Sequence, residues 1–311
     1  MRWHPAVATL AFSAFLAFSA GTPAQAADTY TKTRHPVVLV HGAFGFDAVG
    51  PVQYFFGIPS ALRSGGATVY TPNVSQANSA EVRGEQLLRD LQALQARFGH
   101  TKFNLIGHSQ GGNTIRYVAA VAPQLVASVT TVATPHQGSK VADAVQGITS
   151  VTGTTGPVAL VFAGLGQLIA FFSGSPGNPQ DSLAALKSLS TAGAQSFNRR
   201  FPQGAPTSSC GQGPELVNGV RYYSMSGTGV LTNPLDVSDA LLGASSVFFG
   251  FEANDGLVSR CSSRWGRVLR DDYFWNHGDS INQAFGLRSI FSSDPVSVYR
   301  AQVNRLKGLG L

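Results

Sequence analysis

The sequence predicts an α/β protein with a mostly parallel sheet covered by helices on both faces. Three observations carry that reading. Short β-branched apolar runs recur, at "HPVVLVHG" (His35 to Gly42), "KFNLI" (Lys102 to Ile106) and "LVASVTTVAT" (Leu125 to Thr134). A long amphipathic segment, "SAEVRGEQLLRDLQALQARF" (Ser79 to Phe98), separates the first two. The second run then passes directly into another amphipathic pattern through the glycine-flanked "GHSQGG".

The chain begins with Met1 to Ala26, which has a basic start (Arg2, His4), an apolar middle around Leu10 to Ala20 and an Ala24-Gln25-Ala26 ending. That pattern reads as a secretory signal peptide cleaved after Ala26. Its apolar run is short for a membrane span, and none in the remaining chain reaches that length. No internal repeat or long polar linker follows, so Ala27 to Leu311 reads as one domain. "HPVVLVHG" is a buried strand closed by a glycine turn. Ser79 is the candidate N-cap of the next helix, with Glu81 in its first turn and Leu87, Leu91 and Leu94 on one face. "KFNLI", the helix after Gly112 and the strand "LVASVTTVAT" follow. Farther on, "VRYYSMSG" and "SSVFFGF" read as further strands.

With 43% apolar and only 12% charged residues among 311, the composition argues against disorder and hints at an unusually apolar surface. The net charge of +6 is a mild excess. Arg260, Arg264, Arg267 and Arg270 would share one face of a helix. A solvated face is expected there, since no aromatic residues or nucleic-acid module accompany them. Cys210 and Cys261 are the two cysteines, and in an exported chain they suggest one disulfide.

Gly107-His108-Ser109-Gln110-Gly111 places a serine at the strand-to-helix seam. So sharp a reversal strains its apex residue, and side chains two positions away would collide with the closing strand and helix. Glycines remove those side chains and leave the Ser109 hydroxyl exposed at a helix N-terminus. This is the G-x-S-x-G nucleophile elbow of α/β-hydrolases, whose partners follow in the order Ser, Asp or Glu, His. Only His136 and His277 follow Ser109. His277 has several acids before it, whereas the carboxylate near His136, Asp143, comes after it, so His277 is the favoured base. Asp255, in an Asn-Asp-Gly turn after the strand-like "VFFGF", is the favoured acid, with Asp236, Asp239, Asp271 and Asp272 as competitors. Acyl transfer also needs oxyanion donors. The backbone N–H of Gln110 and that of Ala43, in "HGAFGF", are the candidates.

Beyond these residues the sequence resembles the secreted, foldase-dependent triacylglycerol lipases of the Pseudomonas type. The resemblance runs through "VHGAFGFD", "YFFGIPSALRSGGA", "SAEVRGEQLL", "GHSQGG", "TIRYVAA", "ATPHQGS", "LDVSDALLGASS", "NDGLV" and "PVSVYR", nearly the whole length after Ala26. It implies an α/β-hydrolase fold, a Ser109–Asp255–His277 triad with Ala43 and Gln110 as oxyanion donors, and a Cys210–Cys261 disulfide. It also implies a lipid–water interface as working environment, a periplasmic foldase as partner and export to the extracellular medium. Finally, it implies one structural calcium ion held by the Asp236 and Asp279 side chains and the carbonyls of Gln283 and Leu287, with Asp239 as the alternative to Asp236. Oxygen ligands suit a hard cation, and one bound at Asp279 would pin the loop carrying His277. No residue between Asp143 and Asp181 carries a formal charge. That region, near 144–180, includes "VALVFAGLGQLIAFF" and reads either as a buried core helix or as an apolar lid over the active site.

Overall fold

The computed structural model describes residues 28–43, 45, 48–49, 52–148 and 178–311. The predicted signal peptide, 1–26, and most of the predicted lid, 149–177, lie outside the described residues.

The first strand, β1 (Val37–Val40), is buried along its whole length. Val37 and Leu39 enter one apolar cluster, while Val38 and Val40 enter another. A strand covered on both faces has no solvent side, hence the unbroken apolar run. A small hairpin of β2 (Ala48–Val49) and β3 (Val52–Gln53) precedes helix α1 (Ile58–Ser64) and the short strand β4 (Val69–Tyr70). Helix α2 (Ala80–Phe98) starts where the sequence places it: the Ser79 side chain accepts from the Val82 N–H. It ends at Gly99, whose φ of 71° is the left-handed conformation glycine tolerates. Strand β5 (Phe103–His108) runs into α3 (Gln110–Val121), and β6 (Val126–Val132) follows.

Helices α4 (Lys140–Ile148), α5 (Ser182–Leu189) and α6 (Thr191–Arg200) follow, the last two capped by the Asp181 and Ser190 side chains. Strands β7 (Leu216–Val217) and β8 (Val220–Gly227) form an antiparallel pair. Helix α7 (Ser238–Ser246) precedes β9 (Arg267–Tyr273), and α8 (Pro295–Gly308), capped by Asp294, packs Tyr299 and Val303 against the β1 side of the core. The sheet order is β4-β1-β5-β6-β8-β7, with β9 also paired to β8; every pairing except β7–β8 is parallel. The loops leaving β1, β5, β8 and β9 therefore gather at one end, the carboxyl ends of the strands, where such folds place their ligands. Among the described residues no helix is long and apolar enough to cross a membrane.

Two expectations fail. "SSVFFGF" is not a strand: Ser245 and Ser246 end α7, and Val247–Phe249 is a 3-10 turn. Phe249 packs with Val141 of α4, while Phe251 is fully exposed. The place beside β8 belongs instead to β9, "RVLRDDY", whose charged residues hide its strand character. The four arginines accordingly share no helical face. Arg260 and Arg264 both bind Asp271, at 2.9 and 2.6 Å, Arg267 binds Glu215, and Arg270 binds Asp272.

Candidate active site

Ser109 has φ 54° and ψ −129° between the last residue of β5 and the first of α3. For a non-glycine residue this is strained, at about 1–3 kcal/mol. The fold holds it there: the Ser109 N–H donates to the Val132 carbonyl at 2.9 Å. A Cβ on Gly107 would lie 2.4 Å from the Gly111 carbonyl oxygen, and one on Gly111 would lie 2.3 Å from the Val40 carbonyl oxygen. The two glycines are thus a steric requirement of the turn.

Asp255 lies in the segment between α7 and β9 and is buried. Its Oδ1 accepts from the N–H groups of Leu257 (3.0 Å) and Val258 (2.7 Å), and its Oδ2 accepts from His277 Nδ1 at 2.8 Å. The His277 N–H also donates to the Asp255 carbonyl at 2.8 Å. With the proton on Nδ1, Nε2 of the neutral ring is left to act as a base. The competing residues are engaged elsewhere. Asp271 is held by two arginines and Asp272 by Arg270. His136 is fully buried, accepts from Arg116 at Nδ1 (3.0 Å), contacts Thr131 Oγ1 through Nε2 (3.0 Å) and stacks on Trp265.

The loop after β1 lies directly against the nucleophile. A Cβ on Gly42 would be 2.7 Å from Ser109 Cβ and 2.7 Å from Tyr54 Oη, so only glycine allows this approach. Ala43 follows in the same turn, and Gln110 is the first residue of α3, whose N–H has no intrahelical acceptor. Of the expected oxyanion donors, Gln110 directly follows Ser109 in the chain, and Ala43 directly follows the Gly42 that lies against it. Two residues absent from the sequence reading hold this loop. Arg83, fully buried on α2, donates to the carbonyls of His41 (2.5 Å), Gly42 (3.1 Å), Ser75 (2.8 Å) and Gln76 (3.3 Å). Tyr54 accepts from the Gly42 N–H at 3.0 Å. Burial and the Arg83 charge push His41 down to about 3, so that ring stays neutral. A signal for Arg83 existed: it interrupts the buried stripe of Ala80, Gly84, Leu87 and Leu91.

Comparison with known sequences decides the family. Residues 35–283 match the family described as alpha/beta hydrolase fold. A triacylglycerol lipase of Vibrio cholerae is 52% identical over 94% of each chain. One of Burkholderia plantarii is 46% identical over the whole of this chain and 96% of its own, and one of Pseudomonas fragi is 44% identical over 91% of this chain and all of its own. The chain belongs to the bacterial triacylglycerol lipases of the α/β-hydrolase family. Among solved structures, a Staphylococcus hyicus lipase superposes with a TM-score of 0.61 at 20% identity, covering 89% of this chain and 97% of its own. A metagenomic carboxyl esterase gives 0.63 at 18% identity, covering 93% and 80%. These distant likenesses speak to the fold.

Around the site, this lipase-family chain has two further features. Cys210 and Cys261 form a disulfide that closes a segment of 51 residues containing Asp255. On the other side of His277 lie three buried carboxylates, Asp236, Asp239 and Asp279, the first two close enough to act on the third. Asp279 Oδ2 accepts from the Asn276 N–H while Asn276 Oδ1 accepts from the Asp279 N–H, a reciprocal pair that brackets His277. Asp279 Oδ1 is buried and has no hydrogen-bond partner among the described residues. Burial, reinforced by the Asp236 and Asp239 charges, raises Asp279 to about 6. Asp239 already accepts at both oxygens, from the Thr232 N–H (2.6 Å), the Asn233 N–H (2.8 Å) and Asn276 Nδ2 (2.6 Å). Asp236 Oδ1 accepts only from its near neighbour Ser238. No three His, Cys, Asp or Glu side chains among the described residues are placed to hold a metal by themselves, so an ion here would need backbone carbonyls as well.

Proposed function

We propose that this chain hydrolyses triacylglycerol esters through Ser109, His277 and Asp255. The observation that carries the reading is the strained serine at a helix N-terminus together with the 2.8 Å His277–Asp255 bond in a neighbouring loop. Ser109 Oγ attacks the ester carbonyl carbon as its proton passes to His277 Nε2. Asp255 keeps the other ring proton on Nδ1 and supports the imidazolium. The Ala43 and Gln110 N–H groups receive the oxyanion. As the tetrahedral intermediate collapses, the alcohol leaves with the proton from His277, and water repeats the sequence on the acyl-enzyme. Covalent labelling by an organophosphonate should modify Ser109 alone, and Ser109→Ala should remove turnover of emulsified long-chain ester by roughly 10⁶-fold while the fold persists. A folded Ser109→Ala variant with near-normal turnover would refute the assignment.

The reading extends to a calcium ion held by Asp236, Asp279 and the carbonyls of Gln283 and Leu287. The unpartnered Asp279 Oδ1 and the effect of the Asp236 and Asp239 charges on Asp279 support it, because a hard cation would ligate the first and offset the second. The ion would be structural, supplying charge balance that fixes the loop bearing His277. Export is supported by the signal-like Met1 to Ala26 and by the disulfide, which suits an oxidising compartment. A lipid–water interface as the place of action and a periplasmic foldase as partner follow from the resemblance. Recovery of active enzyme with and without such a foldase co-expressed tests the latter, and equal yields would remove it.

A further inference from the structure

Three hydrogen bonds around the elbow form one continuous chain. The Gly42 N–H donates to Tyr54 Oη at 3.0 Å, Tyr54 Oη lies 2.7 Å from His108 Nδ1, and His108 Nε2 lies 3.2 Å from the His277 carbonyl oxygen. One arrangement of protons satisfies all three. The His277 carbonyl can only accept, so the proton of a neutral His108 sits on Nε2. Nδ1 is then an acceptor, and the Tyr54 hydroxyl donates to it while accepting from Gly42. Burial and the nearby His277 hold His108 well below the usual histidine range, which keeps a single proton on its ring. Tyr54, His108 and His277 are all buried, and the two imidazoles lie 4.6 Å apart.

The chain connects what the sheet does not. Ser109 follows β5 and His277 follows β9, and in the sheet β6 and β8 stand between those strands. No ladder bond sets the nucleophile against the base. We propose that Tyr54 and His108 are positioning residues for acyl transfer, their directional hydrogen-bond chain holding the His277 backbone in register with Ser109 and with the Gly42–Ala43 turn. The inference rests on the hydrolase reading above and adds residues that act through the His277 backbone and the Gly42 turn. Displacements of about 1 Å between reacting groups cost on the order of a hundredfold in rate, so a tie of this kind acts on turnover more than on binding.

Three substitutions separate positioning from packing. Tyr54→Phe keeps the ring and removes the hydroxyl. His108→Asn keeps an acceptor near Nδ1 and loses the donor to His277. His108→Gln places an amide N–H where the Nε2–H stood. The full chain would be assayed on a dissolved short-chain p-nitrophenyl ester, with kcat and KM resolved, thermal melting recorded and phosphonate labelling timed. Tyr54→Phe and His108→Asn should each lower kcat about ten- to hundredfold with KM changed less than about twofold. Labelling should slow in parallel, and His108→Gln, which restores the donor to His277 but offers Tyr54 no acceptor at the Nδ1 position, should recover part of the rate, to about the level of Tyr54→Phe. The double variant should be little worse than the poorer single, because both break one chain. Wild-type kcat in folded Tyr54→Phe, or a His108→Asn loss that His108→Gln does not reduce at all, would overturn the proposal. Should His108→Asn not fold, Tyr54→Phe decides alone. Failure of the hydrolase reading would look different: the unmodified chain would not turn over ester, or Ser109→Ala would.

Discussion

Asp279→Asn should change the sign of its effect on stability with calcium. In the metal-free chain, Asp279 has a folded pKa of about 6 against an ordinary value of 3.8. A carboxyl whose folded pKa is raised binds its proton more tightly in the native state, so stability falls as pH rises from about 4 to about 6 and stays reduced above that. A shift of about two units corresponds to about 3 kcal/mol at pH 8. Asparagine removes the charge, so in chelator the variant should be the more stable by up to that amount, roughly 6–10 °C in Tm for a chain of this size. In calcium the order should reverse. An ion present at about a thousand times its dissociation constant stabilises the wild type by about 4 kcal/mol, and the variant has lost a ligand. Thermal melting of both proteins at pH 5 and pH 8, each with calcium and with EDTA, gives the complete comparison. Melting of the wild type that ignores EDTA would refute the ion, and a variant destabilised in EDTA at pH 8 would refute the electrostatic reasoning.

Asp255→Asn should leave the fold intact and lower kcat by roughly 10³–10⁴-fold, because an amide turned toward His277 Nδ1 no longer holds the productive tautomer. Steady-state kinetics beside circular dichroism check this. Replacing Cys210 and Cys261 together by serine should cost up to roughly 4 kcal/mol from the 51-residue closure, read as a lower Tm with kcat at 25 °C much less affected. Asp271 is drawn below the ordinary carboxylate range because Arg260 and Arg264 outweigh the opposing effect of its burial. Its contribution to stability should therefore be present above the unfolded pKa and lost as pH falls through the folded one. Asp271→Asn should flatten the acid limb of a stability–pH curve.

What could be read in advance was local. Strands β1, β5 and β6 are buried along their length and so read as short, charge-free, largely apolar or β-branched runs; α2 carries its Ser79 cap and its leucine stripe; the elbow needs glycines at fixed offsets. Strand β9 was hidden because most of its residues are only partly buried or exposed and carry charge. "SSVFFGF" misled for the opposite reason, since adjacent phenylalanines can serve a helical turn as readily as a strand. Asp255 is marked by its Asn-Asp-Gly turn and by its place before His277, although a 3-10 turn and not a strand precedes it. Tyr54 and His108 leave no local mark of their roles, and Arg83 marks only its burial and not its partners, because each acts on groups distant in sequence: Arg83 reaches back 42 residues to His41, and His108 reaches 169 residues to His277.

The placement of Arg83 also bears on the strength of the proposed oxyanion donor, not only on where it sits. The Gly42 carbonyl and the Ala43 N–H belong to the same peptide unit, and Arg83 Nη1 donates to that carbonyl. A full positive charge at the oxygen end draws electron density through the amide resonance and leaves the N–H end more acidic. The guanidinium meets only carbonyls and the Thr114 hydroxyl, with no carboxylate among the described residues to neutralise it. Its field is therefore passed through one peptide bond to the turn beside Ser109, so that a buried cation out of reach of solvent acts as the electron-withdrawing substituent on a backbone amide.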